Sequence, residues 1–387
     1  MRIIIAPDKF RESMSAAMAA EHIARGISSV LPGAELILIP LSDGGEGLVE
    51  SLTRSPGSSI INTEVTGPLG SKVSAGWGIT DSGKTAVIEM AAASGLELVP
   101  KEERNPSLTT SLGTGELIKA ALDQGCSKLI IGLGGSATND GGAGMARALG
   151  VKFLDRAGQP LSNGGAELER LENINLSGLD PRLRQIKTIA ACDVENLLTG
   201  PQGASYTYGP QKGASPEISS QLDRALENYA AVIKKELGVD VAGIPGSGAA
   251  GGMGAGLIAF LNAELYSGIE LVLDAVEFDS YLPGCRLLIT GEGKLDPQSI
   301  SGKAPVGAAR RARKYAVPVI ALAGSVEGKP DSFHNEGITA CLAIADGPIS
   351  LEESIARGPE LIEKKSAELI RIFERCRSDN PGDKLLK

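Results

Sequence analysis

Histidine and aromatic side chains are scarce. The 387 residues include two histidines, His22 and His334, one tryptophan, and aromatics at only 3%. With so little histidine, Ser–His–Asp and Cys–His catalysis have almost no material. Neither histidine is assigned a role. Zinc sites need clustered His or Cys ligands, and the five scattered cysteines form no CxxC pair. Such dispersed thiols read as reduced, small hydrophobes of a cytoplasmic protein. Few aromatics argue against a stacking platform for single-stranded nucleic acid. A net charge of −9 argues against a nucleic-acid or anionic membrane partner. No apolar run approaches a membrane span, and RIIIAPDKF at the start reads as a strand rather than a signal peptide.

Glycine, by contrast, is abundant at 50 residues. The most informative stretch is LIIGLGGSATNDGGAGM, Leu129 to Met145. A short apolar run leads into glycines, two small hydroxyls and Asp140, and a helical pattern begins at Ala143. Glycine lets backbone N–H groups approach a ligand, a helix N-terminus favours an anion, and an acid among them suits a metal riding with that anion. A phosphate-handling loop is the first expectation.

Two other glycine patterns are decoys. GITDSGKT, Gly78 to Thr85, matches the phosphate-binding pattern GxxxxGK[ST], but strand-like segments flank it and DSGK reads as a hairpin turn. GSGAAG, Gly246 to Gly251, matches GxGxxG without a convincing strand before it, so a nicotinamide site is poorly supported.

Strand and helix patterns alternate at both ends of the chain, which implies a mostly parallel sheet covered on both faces. Between them, residues 57–90 read as antiparallel structure and 217–237 as a polar amphipathic helix. The expected architecture is α/β: a discontinuous Rossmann-like parallel domain, 1–58 plus 280–387, with an inserted α+β domain, 59–279. Residues 112–150 fit either.

Ligands of open parallel sheets bind beyond the strand C-termini. That rule selects Asp8 and Lys9, Asp43, Asp140, Asp193, and Glu292, Lys294 and Asp296. As a set, these turns fit Mg²⁺ and phosphates, and phosphoryl transfer asks mainly for positioning, cations and an acceptor-side base.

Taken in order, IAPDKFRESMSA, PLSDGGEG, VTGPLG, IEMAAASGLELVP, TTSLGTGELI, GGSATNDGGAGM, ACDVENLLTGPQGAS, YGPQKGA, GAAGGMGAG and TGEGKLDPQSISGKAPVGAA resemble the bacterial glycerate kinases of type I. The resemblance runs from Met1 to beyond Ser325, and residues 78–85 are not part of its pattern. It implies ATP- and Mg²⁺-dependent phosphorylation of D-glycerate, usually to 2-phosphoglycerate, in sugar-acid or glyoxylate breakdown. It also implies two α/β domains with the active site in the interdomain cleft.

The resemblance does not assign roles, so these come from chemistry. Gly134, Gly135, Ser136, Thr138 and Asn139 are expected to cradle ATP phosphates or the glycerate carboxylate. Lys9, Lys212, Lys294 and Lys303 neutralise phosphate or carboxylate, and Asp43, Asp140 and Glu292 hold Mg²⁺. Asp193 is the expected base for the C2 hydroxyl, with Asp8 or Asp296 next. A kinase for another hydroxy acid, or for the 3-hydroxyl, shares every loop. A sugar-acid or nucleotide sensor lacks a visible output module, and an oxidoreductase rests on GSGAAG alone. The expected partners are ATP and D-glycerate, with neither nucleic acid nor membrane, and a homodimer is left open.

Overall fold

The structure, a computed structural model, describes residues 1–10, 12–42, 44–45, 47–53, 57–301 and 303–378. It divides into two compact units, Met1–Asp43 with Val272–Lys387, and Gly44–Leu271. The sequence reading placed these borders at 58/59 and 279/280. The helix Leu48–Leu52 belongs with the insert, because the Val49 N–H donates to Glu89 Oε1 at 2.8 Å on one of its strands. Residues 112–150 also lie in the insert.

The discontinuous unit carries a five-stranded sheet. Its order is Ala340–Ala343, Val319–Val326, Cys285–Leu295, Arg2–Pro7, Glu35–Leu38, and every pairing is parallel. Ile3, Ile4, Ile5 and Leu287, Leu288, Ile289 are fully buried, as strands covered on both faces must be. On one face, the helix Ala16–Val30 starts at Ser15, whose Oγ accepts from the Met18 N–H at 3.2 Å. It presents Ala19, Ala20, Ile23, Gly26 and Ile27 inward at helical spacing. Gly26 is needed for close approach to the helix Gly358–Ser378: a Cβ there would lie 2.2 Å from the Glu363 carbonyl oxygen. His22 Nδ1 meets Glu363 Oε2 at 2.9 Å across the same helix pair.

The inserted unit carries a six-stranded mixed sheet. Glu264–Tyr266, Lys187–Ala191, Lys128–Gly132 and Thr85–Glu89 run parallel; Lys72–Thr80 and Ser59–Thr66 continue it antiparallel. Parallel pairing therefore extends further into the insert than an α+β reading implies. The DSGK segment is the turn of the antiparallel pair, with Thr80 opposite Thr85, so no helix follows the GxxxxGK[ST] match. The GSGAAG loop runs into Ala249–Leu261, which is left-handed at Ala250, Gly251 and Gly252, and no strand leads into it. Phe153, Phe260 and Trp77 belong to this core: Phe153 packs edge-on to Phe260 at 5.7 Å, and buried Trp77 donates to Thr63 Oγ1 at 2.9 Å. No described helix is long and apolar enough to cross a membrane.

Candidate active site

In the insert, the glycine-rich loop leaves the C-terminal end of Lys128–Gly132, beside the end of Lys187–Ala191, with Gly132 opposite Ala191. This register brings Gly134 and Asp193 to the same end of the sheet, beyond the C-termini of two interior strands. Gly134 cannot carry a side chain, because its Cβ would lie 2.5 Å from Gly45 Cα. Gly135 is exposed and has φ +72°. Gly135 thus presents backbone to solvent, its carbonyl accepting from the Leu96 N–H at 2.8 Å, whereas Gly134 is half-buried against Gly45.

The rest of the expected cradle lies beneath them. Ser136 is 6% exposed, and Thr138 and Asn139 are fully buried. Lys212, 2% exposed, donates from Nζ to Ser136 Oγ at 2.8 Å and to the Thr138 carbonyl at 2.7 Å. Burial pulls its pKa down to about 7, against the opposing pull of the Asp140 charge. Asn139 Nδ2 donates to Ser205 Oγ at 3.0 Å. Lys212 therefore fastens the loop from within, a different task from the phosphate contact the sequence suggested.

Asp140, expected as a metal ligand, is engaged by its own fold. Its Oδ2 accepts from the Ser111 N–H and Oγ, both at 2.8 Å, and from the Gly144 N–H at 3.2 Å. Its Oδ1 accepts from the Gly142 N–H at 3.2 Å. Ser111 Oγ in turn accepts from the Met145 N–H at 3.0 Å. The carboxylate thus caps Ala143–Ala148 and secures the start of Leu112–Asp123. Tyr229 adds a hydrogen bond from its hydroxyl to the Gly141 carbonyl at 3.0 Å.

Asp193 is half-buried beyond Ala191. Its Oδ1 accepts from Ser267 Oγ at 2.7 Å and from the Gly268 N–H at 2.8 Å. Burial pushes the neighbouring Cys192 thiol up to about 11, which keeps it neutral and a poor nucleophile.

The discontinuous unit builds its own strand-end group. Pro7 lies opposite Gly291, so Asp8, one residue past its strand, stands beside Glu292, which is still inside Cys285–Leu295; that strand runs on past Thr290, where the sequence reading ended it. The Asp8 N–H donates to the Gly291 carbonyl at 2.8 Å, and its Oδ1 accepts from the Lys9 N–H at 2.6 Å. Lys303 Nζ stands 3.6 Å from Glu292 Oε2 and 3.7 Å from Asp296 Oδ1. Asp296 Oδ1 also accepts from the Ser299 N–H at 3.2 Å. Lys294 does not join them: it is exposed and pairs with Glu327 at 2.9 Å, which raises its pKa. Asp43 lies outside the described residues.

Among the described residues, no three of His, Cys, Asp or Glu converge into a protein-only metal cage. Glu292 and Asp296 around one lysine instead form a two-carboxylate set, the kind Mg²⁺ uses together with phosphate oxygens and water. The residues thus fit a cation delivered with a phosphate ligand. Ser111, Ser205 and Ser267, which complete these arrangements, had gone unselected, since isolated hydroxyls carry no spacing signal.

Parallel strands ending in close-packed glycines, carboxylates and lysines define an α/β protein of the small-molecule kinase class. The sequence profile of the glycerate kinase family matches residues 3–374. The chain is 52% identical to the glycerate 2-kinase of Escherichia coli, over 92% of this chain and 93% of that one. It is 50% identical to the glycerate kinase of Bacillus subtilis, over 95% and 97%. A solved structure from Salmonella typhimurium LT2, described as a candidate glycerate kinase 2, superposes with a TM-score of 0.84 at 46% identity, covering 98% of this chain and 99% of that one. The chain belongs to the glycerate kinase family.

Proposed function

We propose that this protein transfers the γ-phosphoryl group of ATP to the C2 hydroxyl of D-glycerate, releasing ADP and 2-phosphoglycerate in the cytoplasm. The observation that carries this reading is the 52% identity to a glycerate 2-kinase along nearly the whole of both chains. The strand-end chemistry supports it.

In this reading the Gly134 and Gly135 backbone meets an anionic group, and Lys9 and Lys303 offset phosphate or carboxylate charge. Asp193, held at Oδ1 by two protein hydrogen bonds, accepts the C2 hydroxyl proton. The hydroxyl oxygen forms the new bond to the γ-phosphorus, and the old P–O bond breaks with its electron pair going to ADP. Glu292 and Asp296 would hold Mg²⁺, which supplies charge neutralisation at the phosphate oxygens.

The test is ³¹P NMR of the protein with ATP, Mg²⁺ and D-glycerate. A phosphomonoester signal matching 2-phosphoglycerate is expected. A 3-phosphoglycerate signal would keep the kinase and move the acceptor, and absence of any ATP-dependent product would overturn the substrate assignment.

A further inference from the structure

The hydrogen bonds at Asp193 Oδ1 point to a residue that the strand-end rule does not select. Ser267 precedes the helix Gly268–Ala275, and its carbonyl accepts the Leu271 N–H at 3.1 Å, the position of an N-cap. An N-cap serine ordinarily turns its hydroxyl inward to accept from its own helix. Ser267 Oγ also donates outward to Asp193, 74 positions away, while the adjacent Gly268 N–H donates to the same oxygen. Two donors on one carboxylate oxygen fix both the distance and the rotation of the carboxylate, and they orient its second oxygen. The approach is close on the other side too: a Cβ on Gly44 would lie 2.8 Å from Gly268 Cα and 3.5 Å from Asp193 Oδ2.

We propose that Ser267 is a positioning residue for phosphoryl transfer: its hydroxyl aims the Asp193 carboxylate at the acceptor hydroxyl. The proposal rests on the reading of Asp193 as the base. In this role Ser267 acts through Asp193 rather than on a substrate, so its loss acts on the chemical step rather than on binding. A misaimed base lowers the rate steeply, because near-attack geometry tolerates deviations well under 1 Å.

Steady-state kinetics of Ser267→Ala, Ser267→Thr, Asp193→Asn and the Ser267→Ala/Asp193→Asn double variant decide the matter. In Ser267→Ala, kcat is expected to fall about tenfold or more while KM for glycerate and ATP stays within about twofold, as for a group acting only in the transition state. Ser267→Thr, which keeps the hydroxyl, is expected to restore most of kcat. In the Asp193→Asn background the serine substitution is expected to add almost nothing, the mark of two residues acting as one unit. Circular dichroism and thermal unfolding show that each variant is folded before its rate is read. If Asp193→Asn is inactive while Ser267→Ala retains wild-type kcat, the positioning role is overturned and the base survives. If Asp193→Asn keeps near-wild-type turnover, the base assignment falls, and the Ser267 role falls with it. A Ser267→Ala loss seen in KM alone, or one that threonine does not rescue, also overturns the proposal.

Discussion

Lys212 and Ser136 are joined by a 2.8 Å hydrogen bond beneath the surface of the glycine-rich loop, with the lysine almost wholly withdrawn from solvent. An ammonium in that position stabilises the loop through the carbonyl and hydroxyl it holds, and it pays a desolvation cost that the nearby Asp140 charge partly offsets. The pair makes the loop's shape depend on a side chain 76 positions away.

This arrangement has a pH signature. Lys212 has a folded pKa of about 7, below its ordinary range, so the unfolded chain binds the proton more tightly. From about pH 7 up to the ordinary lysine value near ~10.4, its contribution to stability rises with pH, by at most about 1.4 kcal/mol per unit, and below that window it is flat. The Tm difference between wild type and Lys212→Met should therefore shift in favour of wild type between pH 7 and pH 10. A difference independent of pH across that window would refute the titration.

Asp140→Ala should act on stability rather than on metal binding. The change strips three backbone N–H groups and the Ser111 hydroxyl of their acceptor and removes the charge facing Lys212. A loss of about 3–5 kcal/mol in urea unfolding is expected, as for removing one side of a buried charged network. At a temperature where the variant is folded, the Mg²⁺ concentration giving half-maximal rate should match wild type. A tenfold rise in it would return Asp140 to the metal site.

Asp193→Asn should lower kcat by about 10²–10⁴-fold, the usual worth of a general base. Glycerate KM should change little, and pre-steady-state quench experiments should show the loss in the chemical step. A fall of less than tenfold would remove Asp193 from the role.

Two lysines near one another in sequence should separate cleanly. Lys294 forms an exposed pair with Glu327, which solvent screens, so Lys294→Ala should leave both rate and stability nearly unchanged. Lys303 stands between Glu292 and Asp296, so Lys303→Ala leaves two carboxylates facing one another and should lower kcat/KM for ATP by tenfold or more. Equal kinetic effects from the two substitutions would contradict the placement.

Gly26→Ala tests the packing of the discontinuous unit. Its Cβ would fall 2.2 Å from a backbone oxygen of the facing helix, which has no flexible end to move aside. A destabilisation of about 1–3 kcal/mol is expected from this overpacking, measured by thermal or urea unfolding. An unchanged midpoint would mean that the helices separate without cost.

The architecture was legible because its signals are local. Ile3 to Ile5 and Leu287 to Ile289 read as buried strands from their continuous apolar runs, and both lie at the centre of a parallel sheet. The hairpin at Asp81–Gly83 was legible as well, because the strand-like segments flanking the GxxxxGK[ST] match left no helix to follow it. The first border was placed too late because the short helix Leu48–Leu52 gains its partner, Glu89, from a strand 40 positions on.

By itself the sequence determined the alternation of strands and helices, the scarcity of material for histidine and zinc chemistry, and an ordered set of motifs specific enough to name a family. Each of these depends on neighbouring residues or on their order along the chain. Only the tertiary structure decided what the individual polar groups do. Asp140 caps helices through Ser111, Lys212 turns inward to Ser136, Lys294 turns out to Glu327, and Asp193 is gripped by Ser267. A carboxylate or ammonium takes its role from whichever donor or acceptor lies within about 3 Å, and those partners are 29 to 76 positions away in the chain, or on the adjoining strand end in the case of Glu327.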